Sequence, residues 1–378
     1  MACTWGSPAR GEEAGAPHDN QTMKTSPPAV QDNPFTTVLD LSQSMLRDVV
    51  GALGRIQRVN QTIHLLSLNA RVEAARAAEA GRGFAVVADA LTGLSAETGQ
   101  TVQQLEASSR RTASELGEVA RRLSQEVQDE RLCDLARNAI DLVDRNLYER
   151  SCDVRWWATD SALVDAAASP TPERCAHAAR RLGQILDSYT VYADLLLCDL
   201  QGRVLANGRP QQWPDSVGQD MARSTWFRSA LAKRSGDEFG FESVHPQPLI
   251  GGERALVYAC TVRAGGQVHG QPLGVLGIVF RWDALGPQVL RALPLSTQEW
   301  AQTRAVIVDD GGRVLADAQD ERIGQHLEFA GRRTLLKAGR GTLDAAVDDV
   351  PMRICHARSQ GFETYATGWH ALLLRRMP

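Results

Sequence analysis

Residues 63–89 read IHLLSLNARVEAARAAEAGRGFAVVAD, and the two glycines in the second half of this stretch, Gly81 and Gly83, separate two helical patterns. Upstream, apolar or small residues recur at alternating steps of four and three: Val38, Ser42, Met45, Val49, Ala52, Ile56, Val59, Ile63, Leu66 and Ala70. Downstream the spacing continues through Phe84, Ala88, Leu91, Ser95, Thr98, Val102, Leu105, Ser109, Thr112, Leu116, Val119 and Leu123. A sustained heptad seam needs a partner helix. No proline lies between Phe35 and Pro170, so nothing forces either helix to stop. The glycines supply the backbone freedom of a tight reversal. A reversal near Ala80 makes facing positions sum to about 160, with Ile56 beside Leu105 and Val38 beside Arg122 and Leu123. Leu39, Leu46, Val50 and Leu53 widen the apolar face beyond what one hairpin buries. Residues 35–125 are therefore expected to form an all-α helical hairpin that completes a four-helix bundle as a homodimer.

The same 27 residues resemble the hairpin tip of methyl-accepting chemotaxis receptors. The resemblance implies a signalling surface for the chemotaxis histidine kinase and its coupling protein at Leu65, Leu68, Arg82, Val86 and Val87. It implies dimer-to-dimer contacts, and so possible higher-order assembly, at Asn69, Glu73, Arg76 and Glu79. The chain departs from the family's pattern in three places. Gln61 stands where the family commonly has Phe, Ala90-Leu91-Thr92 replaces a usual Glu-Val-Arg, and Arg71 replaces a usual Ala. The arms are also short for the family's adaptation helices, so efficient methylation is not expected.

Beyond the hairpin, a helical pattern runs over 126–168 and is expected to be one long helix, followed by a second from Glu173 to Leu186. An internal repeat then appears. The run Leu196-Leu-Cys-Asp199-Leu-Gln-Gly202-Arg-Val-Leu-Ala206 aligns without gaps on Val306-Ile-Val-Asp309-Asp-Gly-Gly312-Arg-Val-Leu-Ala316, and Val217-Gly218-Gln219 answers Ile323-Gly324-Gln325. Each run reads as a strand, an Asp/Gly turn and a strand. Further strands are expected at 255–262 and 273–282 in a first module, 185–285, and at 341–347, 352–357 and 369–374 in a second, 300–378.

A long helix, two repeated strand sets and a Trp-Phe segment resemble the double Cache family of ligand sensors. The resemblance implies an α+β double Cache domain over 126–378, built of two PAS-like antiparallel-sheet modules on a long helix. It also implies a small-molecule site on the first module. Arg223, Trp226 and Phe227 approximate the family's ligand-binding segment, and Glu242, His245 and Tyr258 are further polar candidates. The late strand over 274–280 carries no Asp, so an α-ammonium finds no carboxylate there and an amino acid is not the expected ligand.

Composition narrows the alternatives. A net charge of -4 from 41 Lys+Arg and 45 Asp+Glu argues against a nucleic-acid partner. No run approaches the roughly 18 apolar residues of a membrane span. Residues 1–34, rich in Pro, Gly and Ala, show no secretory core and are expected to be disordered. The seven cysteines show no CxxC spacing and read as reduced thiols. No nucleophile and base pair, metal cluster or phosphate loop stands at a meaningful spacing, and Gly81-x-Gly83 follows a helix rather than a strand. Neither enzyme activity nor a cofactor is expected. The leading expectation is a cytoplasmic chemoreceptor-like transducer sensing an intracellular small molecule. The alternative is a ligand-binding regulator whose hairpin only dimerises it.

Overall fold

The computed structural model describes residues 34–377, and the chain divides into two compact units between Ser124 and Gln125. The segment expected to be disordered lies outside the described residues except for Pro34, which opens the first helix. Helix α1 (Pro34–Arg76) is followed by a single 3-10 turn at Ala78–Gly81 and by α2 (Arg82–Trp157).

The two arms meet in layers spaced seven residues apart on each helix. Ala74 faces Gly81, Ser67 lies near Ala88, Asn60 faces Ser95, and Leu53 lies beside Val102, all of them buried. Thr92 Oγ1 donates to Ser67 Oγ at 3.1 Å and to Ala88 O at 2.9 Å. Asn60 Nδ2 donates to Ser95 O at 2.8 Å and Ser95 Oγ to Asn60 O at 3.3 Å, leaving Asn60 Oδ1 buried without a partner among the described residues. On α1 this inner contact is shifted from the seam read from the sequence, whereas Ala88, Ser95 and Val102 of the α2 seam lie in it. Ile56 and Leu105 line one groove with Leu53 and Val102, and Met45, Val59, Leu66 and Leu94 are exposed. Two apolar stripes lie side by side on α1, and the one with smaller residues takes the inner contact because it lets the backbones approach.

The turn chemistry also differs. Neither Gly81 nor Gly83 has positive φ; Ala78 does, at 49°. A Cβ on Gly81 would stand 2.2 Å from Ala74 O, so glycine is required there for close approach, whereas Gly83 faces open space.

In the second unit α2 continues to Trp157, where the single helix expected over 126–168 breaks. Asp160 starts a new helix, α3 (Ser161–Ala168), by accepting from Ala162 N at 3.0 Å. An Asp at an N-cap satisfies donors that a continuous helix would pair internally, which a period-based reading passes over. Helix α4 (Pro172–Ser188) is capped by Thr171. Then follow β1 (Tyr192–Asp199), β2 (Val204–Asn207), α5 (Thr225–Leu231), β3 (Gly240–Pro246), β4 (Arg254–Arg263) and β5 (Pro272–Arg281). They form an antiparallel sheet of order β2-β1-β5-β4-β3. After α6 (Gly286–Arg291) and α7 (Thr297–Trp300) come β6 (Thr303–Val308), β7 (Val314–Asp317), α8 (Arg332–Lys337), β8 (Arg340–Val347), β9 (Val350–Arg358) and β10 (His370–Arg376). The second sheet repeats the order, β7-β6-β10-β9-β8.

The repeat holds atom by atom. Arg203 N donates to Asp199 Oδ1 at 2.8 Å as Arg313 N does to Asp309 Oδ1 at 2.9 Å. Gly202 and Gly312 carry φ of 90° and 84°. Gly218 N donates to Val204 O and Gly324 N to Val314 O, both at 2.8 Å. One pair is inverted. Asp194 on β1 accepts from Asn207 on β2, whereas at the matching positions Arg304 on β6 pairs with Asp317 on β7.

The inner faces of both sheets close on α2, where Ile140, Val143 and Leu147 are fully buried with Leu195, Ile278, Ile307 and Leu373. In the second sheet His356 Nε2 lies 2.8 Å from His370 Nδ1, and His370 Nε2 lies 2.9 Å from Asp310 Oδ1. If Asp310 accepts from His370 Nε2–H, His370 Nδ1 must accept from His356 Nε2–H. His356 Nδ1 is then a bare lone pair, consistent with its having no partner among the described residues. Both imidazoles are buried and held neutral: burial lowers His356 to about 3, with His370, Arg137 and Arg358 adding to it, and burial lowers His370 against the pull of Asp310.

Two predictions follow from this packing. Gly81→Val should cost about 1–3 kcal/mol of hairpin stability and speed amide exchange around Ala74. Because the folded-state values of His356 and His370 lie below the unfolded value near 6.5, their stabilising contribution is complete above that pH and falls as pH drops toward about 3. Urea unfolding should therefore show a loss of about 2 kcal/mol between pH 6.5 and 5, with a smaller slope in His356→Leu.

Candidate functional site

The hairpin tip is built from small inner layers, so its large apolar side chains point outward. Leu65, Leu68, Val86 and Val87 are each at least half exposed. By the seven-residue layering Leu68 stands at the height of Val87, and Glu73 at that of Arg82. Around them lie exposed charges: Arg76 pairs with Glu73 at 2.8 Å, and Arg82 with Glu79 at 3.3 Å. Asn69 is exposed as well. Exposed pairs of this kind contribute about 0–1 kcal/mol each, so a partner can recruit these charges at little cost. The tip thus presents an apolar patch with a charged rim. Arg71 crosses the hairpin to Asp89 at 3.3 Å, which gives a physical role to its departure from the expected pattern. Phe84, assigned to the seam by its spacing, is 71% exposed and belongs to this outer surface.

In the first module Trp226 and Phe227 come from the first turn of α5 and are buried against one face of the sheet. The indole lies over Gly277, where a Cβ would come within 2.9 Å of Trp226 Cζ3. Glu242 on β3 accepts from Trp226 N at 3.2 Å, and Arg223 is exposed in the loop before α5. His245 is held locally, its Nδ1 2.8 Å from Ser243 O. Tyr258 must be removed from this group. Strand alternation sends Val257 and Ala259 toward Trp226 and Tyr258 to the opposite face, where its hydroxyl lies 2.6 Å from that of Tyr365.

Three residues that the motif comparison passes over sit close to one another near β1 and β2. Asp194 is buried, and its Oδ1 accepts from Leu195 N, Gly208 N and Arg209 N, while its Oδ2 accepts from Asn207 Nδ2 at 2.8 Å. Burial raises its pKa against the pull of these bonds. Asn207 Nδ2 also reaches Trp213 O at 3.3 Å, and Asn207 Oδ1 and Trp213 Nε1 are buried without partners among the described residues. The signal in the sequence is an Asp directly before the apolar run LLLC of YADLLLCD.

Residues 21–141 match the family described as the methyl-accepting chemotaxis protein (MCP) signalling domain. The methyl-accepting chemotaxis protein CtpM of Pseudomonas aeruginosa is 47% identical over 70 residues, 18% of this chain and 12% of that protein. PcaY of Pseudomonas putida is 51% identical over 61 residues, 16% of this chain and 11% of that protein. The chain therefore covers about an eighth or less of the length of these relatives, and the likeness is that of a signalling segment. Among solved structures, the sensor domain of the V. cholerae histidine kinase DctB superposes with a TM-score of 0.50 at 16% identity, over 68% of this chain and 98% of that one. The ligand-binding domain of the P. aeruginosa amino acid chemoreceptor PctC, solved with GABA, gives 0.48 at 20% identity, over 66% and 99%. At these identities the DctB likeness shows a fold: long helices and two antiparallel sheets, as in a Cache-like α+β domain. No helix among the described residues is long and apolar enough to cross a membrane.

Trp226→Ala should cost about 3–5 kcal/mol in chemical denaturation because it empties the space over Gly277, whereas Arg223→Ala should stay within about 0.5 kcal/mol.

Proposed function

We propose that the chain is a chemoreceptor-like signal transducer in which the sheet unit senses a small molecule and the hairpin tip engages the chemotaxis histidine kinase and its coupling protein. The observation that carries this reading is the match of residues 21–141 to the signalling domain, on a tip whose outward Leu65, Leu68, Val86 and Val87 serve no inner layer. Asn69, Glu73, Arg76 and Glu79 are assigned to contacts between dimers. The apolar stripe carrying Met45, Ile56, Val59, Leu66, Leu94 and Leu105 is assigned to a second copy of the hairpin, completing a four-helix bundle. Helix α2 joins the two units covalently and is strongly charged over 121–131, RRLSQEVQDER, so sensing is assigned to the same compartment as the tip, the cytoplasm. The small-molecule site is assigned to the first module around Arg223, Trp226, Phe227 and Glu242, without Tyr258. No catalytic role is assigned.

A second reading, a regulator that the hairpin merely dimerises, rests on the same exposed stripe. Capture of the coupling protein on the immobilised full chain separates the two. Leu68→Glu and Arg82→Ala should leave dimerisation in sedimentation and helicity unchanged while weakening capture at least about tenfold. Equal capture by wild type and variants, or none by wild type, favours the second reading, and a monomer at micromolar concentration removes the bundle.

A further inference from the structure

Two thiols meet where α2 packs on the second sheet. Cys133 lies on α2, with its Sγ 3.4 Å from Gly341 O on edge strand β8. Cys355 lies on the inner face of β9, in register with Thr342 on one side and Leu373 on the other. The two cysteines thus meet two adjacent residues of β8, Gly341 and Thr342, within one buried core. Cys133 and Cys355 are 3% and 0% exposed, and both are free thiols. Cys133 also lines a cleft of about 510 Å³ shared with Asp129, Glu130, Arg340 and Thr342, which supplies a path from solvent.

The other buried cysteines have no such arrangement. Burial pushes the Cys260 thiol up to about 11 and Cys198 further still. At Cys133 the hydrogen bond with Cys355 outweighs burial and, with His356 N–H and the Arg340 guanidinium, holds the thiol down at about 6. Cys355 moves in the opposite direction and keeps its proton. A thiol held low, a second thiol in the same core and an open cleft are the three requirements of a reversible oxidation site.

We propose that Cys133 and Cys355 form a peroxide-reactive dithiol whose oxidised state is a disulfide between α2 and β9. The Cys133 thiolate attacks one oxygen of a hydroperoxide, the O–O bond breaks, and the departing oxygen takes up a proton, leaving Cys133 as a sulfenic acid. The Cys355 sulfur then attacks the Cys133 sulfur. The S–S bond forms, the S–O bond breaks, and water leaves with the Cys355 proton, so the two electrons that reduce the peroxide come from the two thiols. The product fixes α2 to the second sheet by a covalent bond, and reduction by a small dithiol restores the starting state.

The test is thiol mapping of the full-length chain after hydrogen peroxide, with alkylation under denaturing conditions and non-reducing peptide mass analysis. Wild type should lose two of its seven thiols, give a cross-linked peptide pair holding Cys133 and Cys355, and keep Cys198 and Cys260 alkylatable. Cys355→Ser should stop at a sulfenic acid on Cys133 that dimedone traps. Cys133→Ser should slow oxidation at Cys355 at least about tenfold. Retention of both thiols at a peroxide dose that fully oxidises glutathione overturns the proposal. So does oxidation of Cys133 to a sulfinic acid, or to a disulfide with any other cysteine, in wild type. The wild-type map decides the matter by itself if either serine variant fails to fold.

Discussion

Burying one face of each sheet against the same helix is the constraint on which the second unit depends. Between Leu132 and Trp157, α2 supplies Leu132, Ala136, Ile140, Val143, Leu147 and Val154 to a core that also holds the inner faces of both sheets. In the middle of that stripe sits a carboxylate, Asp144, fully buried. It accepts from Ser359 Oγ at 2.6 Å, Gly361 N at 3.1 Å, Thr367 Oγ1 at 2.7 Å and Thr367 N at 3.2 Å, which ties the loop before β10 to the helix. A buried carboxylate is tolerated only with its donors in place, so this network fixes the rotation of α2 as firmly as the apolar packing fixes its position. Trp282, at the end of the first sheet, donates to Leu315 O on β7 and meets Trp369 edge-on, locking the two modules to each other.

Periodicity and repetition made most of the architecture legible. The heptads of residues 38–123 and the gapless match of Leu196–Ala206 to Val306–Ala316 are properties of the chain, and the helices and paired strands follow from them. What periodicity cannot supply is phase. Leu53 and Ile56 fit a heptad equally well, and only the approach of the backbones, set by Gly81 against Ala74, decides that Leu53 turns inward. The same limit displaced Tyr258, because alternation says that neighbours on β4 face opposite ways without saying which way Trp226 lies. Strand β3 carries no strand signature because GFESVHP mixes apolar and polar residues on an edge, and a break at Asp160 is invisible to a pattern that resumes in step.

The tip shows how inner packing determines outer chemistry. Its layers shrink from Leu53 and Val102 to Ala74 and Gly81 as the turn approaches. A narrow interior leaves no room for Leu65, Leu68, Val86 or Val87, so their exposure is a consequence of the close approach that lets the chain reverse. The candidate interaction residues were readable only by likeness to a known tip. A heptad count alone distributes leucines and valines into seams and has no means of singling out those that stay outside.

The inverted polar pair of the two modules bears on how the chain avoids misassembly. Duplicated modules of one topology invite strand exchange, since β7 has the backbone to pair with β1 and β2 the backbone to pair with β6. In the first hybrid Asp194 would meet Asp317, burying two carboxylates together. In the second Arg304 would meet Asn207 and lose the Asp317 carboxylate that it pairs with on β7. Each wrong pairing thus carries an electrostatic penalty that the right ones lack, so this layer helps each half recognise its own strands.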